Sequence, residues 1–326
     1  MIQPHEMKLN LPMKLSGEIV SSTTKVWNIL VASRNGNLEE VKHLVNGCPE
    51  LIYAQYNYTP PIHFAVREGH VDLVKYLLDN GAHDPKYKIY PFSDPLETIA
   101  QDRSYNEIVS LLEEYAKDPS KQKYKGDNGE ILYNRNELQI EFQKAINHND
   151  QKKTEEMLKL HPEYALDETL SWGEGVMMMP ANRKNKKLLD LLISYNAKVP
   201  DISKWGRAYY FKNYDIAEFL LEKGMNPNHM SWHHVTLLHD MTQEGNIKKA
   251  ELLLKYGADI NPVEEEYRST PLGMAARWGQ VETVNYLIAK GADINKAGAS
   301  WATPLAWAKK KEHTTIEKVL IEAGAK

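Results

Sequence analysis

Apolar residues recur three, then four positions apart in short blocks along most of the chain. Leu38, Val41 and Val45 form one block, Val71, Val74 and Leu78 a second, Ile247, Ala250 and Leu254 a third, and Val281, Val284 and Ile288 a fourth. That spacing marks helices with one greasy face. Each block ends in a stop. Gly81-Ala82, Gly257-Ala258, Gly291-Ala292 and Gly324-Ala325 repeat the same pair, with Gly224-Met225 and Asn196-Ala197 as variants. Glycine there supplies the positive φ that closes a helix. A shorter helix is predicted before each block, opened by Thr270-Pro271-Leu272-Gly273-Met274-Ala275, Thr303-Pro304-Leu305-Ala306-Trp307-Ala308, Thr236-Leu237-Leu238-His239-Asp240-Met241 or Pro60-Pro61-Ile62-His63-Phe64-Ala65. Threonine can cap such a helix, and proline suits its first position. The chain therefore alternates short helix, longer helix and turn, with a period near 33 residues.

No single pair of helices of this kind can bury its own apolar face, so neighbours must stack. About nine units fit, of unequal regularity, with Met177-Met178-Met179 and Lys204-Trp205-Gly206 opening the two least regular ones. The polar stretch from Asp118 to Glu130 lacks periodicity and interrupts them. This predicts a first stack of three units over residues 25–117, a linker or insertion over 118–136, and a second stack of about six over 137–326. Residues 1–24 form an N-terminal arm outside the repeat. The second helix of the fourth unit ends in Leu160-His161-Pro162-Glu163, echoing Gly47-Cys48-Pro49-Glu50 in the first, as if both open a stack. In the last unit Glu317 takes the place of Val74 and Val284, which suits a face that meets water.

The period and the Thr-Pro-Leu-His-x-Ala opening resemble the ankyrin repeat. The resemblance implies an all-α repeat solenoid of helix-turn-helix units with β-hairpin fingers. It implies that His63 and His239 are structural. It also implies recognition of partners by the finger tips and the concave face of the first helices, without naming a partner or any chemistry.

Composition narrows this little. A net charge of −4 over 326 residues leaves no basic footprint for nucleic acid. One cysteine excludes internal disulfides, and no apolar run suits a leader or a membrane span, so a soluble cytoplasmic protein is expected. No Gly-rich phosphate loop or serine elbow occurs, and no cofactor is expected.

The candidate site lies in the C-terminal half. Trp, Tyr, Arg and His concentrate where a plain repeat would carry small or solvating residues: Arg207, Tyr210, His229, Trp232, His233, Asp240, Glu266, Tyr267, Arg268, Arg277 and Trp301. These types are favoured in binding hot spots. The first reading is a groove for a protein or peptide, with Glu264, Glu265 and Glu266 selecting a basic one. A small-molecule site or an enzyme in the same groove is the alternative, with Asp240 and a finger histidine as an acid–base pair. The aromatics could instead pack finger against finger. The spacing His229-x3-His233-His234 on a turn matches no zinc signature, so no metal is expected.

Overall fold

The computed structural model describes residues 1–15, 17–89, 92–122, 129–173, 175–199 and 213–326. They divide into two compact units, Gln3–Asn134 and Arg135–Lys326, the latter joined by Met1–Ile2.

The first unit holds three helix pairs: α1 (Thr23–Arg34) with α2 (Leu38–Gly47), α3 (Pro61–Glu68) with α4 (Val71–Asp79), and α5 (Leu96–Asp102) with α6 (Asn106–Ala116). The second holds α7 (Glu137–His148) with α8 (Gln151–Leu160), the short α9 (Leu170–Gly173), and α10 (Met178–Asn182) with α11 (Lys186–Ser194). It continues with α12 (Tyr214–Glu222), then α13 (Leu237–Gln243) with α14 (Ile247–Lys255), α15 (Pro271–Arg277) with α16 (Val281–Ala289), and α17 (Pro304–Lys310) with α18 (Thr314–Glu322). Leu272 and Leu305, which the repeat register puts inside, are buried. So are Val74 and Val284, whereas Glu317 is half-exposed on the last helix.

The predicted caps and stops form. The hydroxyl of Thr270 accepts the Gly273 N–H and that of Thr303 the Ala306 N–H, at 3.2 and 3.1 Å. Gly81, Gly224, Gly257, Gly291 and Gly324 all have positive φ, as does their stand-in Asn196. The shared ending of the first and fourth units is real as well, since Pro49–Tyr53 and Pro162–Leu166 are both 3-10 turns in place of a Gly-Ala stop.

Two ladders hold the second stack in register. Asn228, Asn261 and Asn295 accept the backbone N–H of Asp259, Asp293 and Lys326 on the following finger, at 2.7, 2.9 and 3.0 Å. Behind them, Gln280 and His313 reach back to the carbonyls of Gln243 and Arg277. In the first stack His70 does the same to Arg34. Each incoming side chain lies against a glycine, with His70 over Gly36, Gln280 over Gly245 and His313 over Gly279. Tyr105 over Gly69 is a fourth case. The matching residues of the third and last units, Ser104 and Glu312, keep the positive φ without being glycine.

Two features depart from the expected helical units with β-hairpin fingers. The arm folds as β1 (Pro12–Leu15) and β2 (Glu18–Ser22), and the predicted polar linker supplies β3 (Glu130–Ile131), giving a three-stranded antiparallel sheet in the order β2-β1-β3. β1 and β2 of the arm and β3 of the linker are thus part of the first unit's fold. The fingers are tight turns more than hairpins: single bridges close them at Tyr56–Thr59, Ile89–Asp94 and Met230–Thr236. The residue two before each helix cap there (Tyr58, Ser93, His234, Arg268) has φ near +60°, between 53° and 63°.

Candidate functional site in the last fingers

His239 explains how adjoining fingers bind. Its Nδ1 accepts the backbone N–H of Thr236 at 3.1 Å, which leaves Nε2–H to donate to the carbonyls of Pro262 and Ser269 in the next finger, each at 3.2 Å. The ring is fully buried and spans two units. It is a structural residue, as the repeat pattern implies.

The three finger glutamates are buried too. Glu264 folds back into its own turn and accepts the backbone N–H groups of Glu266, Tyr267 and Ser269. Burial, helped by the charge of Glu266, pushes its carboxyl up to about 7 against the opposing pull of those amides. Glu265 accepts His234 Nδ1 and the Met1 ammonium, both at 2.8 Å. Glu266 pairs with His233 Nδ1 at 2.6 Å. Two His–Glu pairs, with the Glu265 N–H donating to the His233 carbonyl, thus clamp one finger onto the next. These carboxylates face the protein, and the expected selection of a basic partner by Glu264, Glu265 and Glu266 loses its groups.

Trp232 is buried, its ring centroid 3.9 Å from that of His233 and its carbonyl accepting the Ile2 N–H. His229 and Asp240 are buried as well. Tyr267 is fully buried, edge-on to Trp278 and Trp307 at 5.2 and 6.2 Å. Arg277 lies among those same three rings, its guanidinium carbon 4.1 Å from the centre of Tyr267, 4.2 Å from Trp278 and 5.0 Å from Trp307. Trp307 is anchored by its indole N–H, which donates to the Ser269 hydroxyl at 2.6 Å. Trp301 stands edge-on to Trp307 at 5.7 Å.

Of the expected anchors, only Arg268 and Trp301 keep appreciable exposure among the described residues; Arg207 and Tyr210 lie outside them. The aromatic concentration is therefore in large part finger-to-finger packing. The last two units also carry half-exposed Trp278 and Lys311 and exposed Lys309 and Lys310, groups absent from the expected set. The ammonium groups of Lys310 and Lys311 each lie 5.8 Å from the Trp307 ring centre. Trp278 was legible as an aromatic directly after Arg277 at an inner-helix end. The lysines read as ordinary helix C-terminal charges. As for the acid–base alternative of Asp240 with a finger histidine, Asp240 is buried, and the carboxylate that meets His233 is Glu266, both of them shut away from solvent.

A model of ankyrin repeats matches residues 29–123, 207–298 and 238–326, together more than half of the chain. The chain belongs to the ankyrin-repeat family. Ankyrin repeats generally mediate protein–protein interaction. It is 37% identical over 86 residues to the ARF GTPase-activating protein Git of Drosophila melanogaster, covering 26% of the chain and 12% of that protein. It is 38% identical over 97 residues to mouse Rabankyrin-5, covering 26% of the chain and 8% of that protein. A longer match, 22% identical over 345 residues, takes in 90% of the chain and 26% of human transient receptor potential cation channel subfamily A member 1. The chain thus spans a minor part of each of these relatives. No helix among its described residues is long and apolar enough to cross a membrane.

Proposed function

We propose that this ankyrin-repeat chain is an interaction module that holds a segment of a partner protein against the inner-helix ends and finger tips of its last units. The contact runs over Arg268, Trp278, Trp301 and the α17 lysines. One observation carries the reading: Trp278 and Trp301 stay half-exposed on a framework already locked by His239, the His–Glu pairs and the Trp307–Ser269 bond. A preorganised surface loses little conformational entropy on binding, and tryptophan and arginine dominate hot spots.

A displayed library of random peptides tests it. The wild-type chain should select binders whose capture falls at least tenfold in Trp301→Ala, while the melting temperature shifts by a few degrees only, as losing one half-exposed ring implies. Capture unaffected by Trp301→Ala would overturn the assignment of this surface.

A further inference from the structure

We infer that the turn at Trp232 and the adjoining finger at Glu265 form a binding site for the free α-amino end of a polypeptide, filled in this chain by its own Met1–Ile2. The inference does not depend on the surface around Trp301. The Met1 ammonium lies 2.8 Å from Glu265 Oε1, and the Ile2 N–H donates to the Trp232 carbonyl at 2.9 Å. These two residues group with Arg135–Lys326, apart from the chain that follows them, and lie outside every helix and strand. An α-ammonium and the next peptide N–H are therefore read together. A lysine side chain brings the same charge but has no peptide N–H one residue further on to meet Trp232. Backbone groups that capture a chain terminus are a recurring mode of peptide recognition.

The second ground is that both acceptors are held in place without the arm. The Ser231 N–H donates to the Val235 carbonyl at 2.8 Å, and the Ser231 hydroxyl accepts the N–H groups of His233 and Val235. A bridge between Met230 and Thr236 closes the same turn, so the Trp232 carbonyl sits on a fixed loop. Glu265 is tied through its own N–H to the His233 carbonyl at 3.2 Å, and its carboxylate meets His234 Nδ1 at 2.8 Å. A neutral His234 can donate that bond, which leaves the carboxylate its negative charge for an ammonium. Glu265 and Trp232 are both buried. A charge-assisted hydrogen bond on a preorganised, buried acceptor discriminates against a ligand that lacks the charge. The arm is tethered beside this site and acts at high effective concentration, so an amino end from elsewhere has to displace it.

The test compares the full chain with an opened variant, in which Gly-Ser precedes Met1 and Ile2 is replaced (Ile2→Pro), so that its arm offers neither group. The probe is a free-amine peptide of residues 1–7, titrated by peptide-observed NMR to millimolar concentration. The opened variant should bind it roughly tenfold or more tightly than wild type does. Nα-acetylation of the peptide, or Ile2→Pro within it, should weaken binding to the opened variant by roughly tenfold or more. Those two changes lie in the ligand and cannot disturb the fold. Adding Glu265→Gln to the opened variant keeps an acceptor for His234 and should erase the preference for the free amine. Free and acetylated peptides bound alike, or no free peptide bound by the opened variant, would overturn the site. A preference that survives Glu265→Gln would do the same. Equal binding by wild type and the opened variant would overturn its occupation by Met1–Ile2.

Discussion

The arginines Arg67 and Arg277 occupy one register position in two stacks, and they are handled in opposite ways. Arg67 is buried over the Phe64 ring at 4.9 Å and ion-paired with its neighbour Glu68. Arg277 is buried among Tyr267, Trp278 and Trp307, and lysines end α17, two helices later. A repeat scaffold thus keeps the same buried cation and varies only what surrounds it. In the first stack a carboxylate stands beside it, and in the second three rings do.

The sharpest way to break this comparison is to break the second stack. Leu272 is fully buried at the start of α15, the helix that ends in Arg277. Leu272→Asp buries a charge without a partner and should cost on the order of 4 kcal/mol, seen as loss of near-ultraviolet circular dichroism from the tryptophans. A signal and urea midpoint like wild type would mean that the cluster does not depend on this packing.

Acid separates the stacks more finely. His83, in the first, is buried, and burial holds its ring at about 4 against an ordinary 6.5. Below pH 6.5 an unfolded chain takes up a proton that the folded ring refuses until about pH 4. The first unit should lose up to ~3 kcal/mol as pH falls through that window, and nothing from this group above it. Glu264, in the second, runs the other way. Its carboxyl titrates near 7 when folded and 4.5 when not, so its contribution is complete below 4.5 and fades as pH rises to 7. The size is again roughly 3 kcal/mol at most. Urea midpoints across pH 4–7 should tilt in opposite senses for signals from each unit, and His83→Phe and Glu264→Gln should each flatten one slope. Parallel slopes would remove the contrast.

The smallest effect concerns the joints. Gly279 and Gly257 both have positive φ, but a Cβ on Gly279 would come 2.9 Å from the His313 ring, while one on Gly257 meets nothing within 4 Å. Each alanine variant pays about 1 kcal/mol for the left-handed backbone. Gly279→Ala should cost a further 1–2 kcal/mol or so, because the His313 hydrogen bond to Arg277 must shift. Equal melting temperatures would show that the ring yields freely.

Much of this architecture is local and could be read along the chain. Helix faces, Thr-Pro caps and Gly stops depend on neighbours within four residues. The echo of Cys48-Pro49 by His161-Pro162 was legible for the same reason, since each closes its own helix with a 3-10 turn. The candidate site was legible as a concentration of residue types but not as a surface. Trp232, His233, Glu266 and Tyr267 have the composition of a binding site and the burial of a core. Trp278 and Lys310 look ordinary and end up at the rim. Similarly, the polar run after Asp118 gives no hint that Glu130–Ile131 will pair with a strand more than a hundred residues earlier.

Sequence alone determined the repeat, its period, its stops and the family, because backbone preference and one-sided hydrophobicity are properties of short windows. Only the tertiary structure decided which finger residues face inward, since His234 and Glu265, or Arg277 and Trp307, are about thirty residues apart and meet only once units stack. The charge left at the surface is what remains after those long-range pairs have formed, and no window of sequence contains both partners.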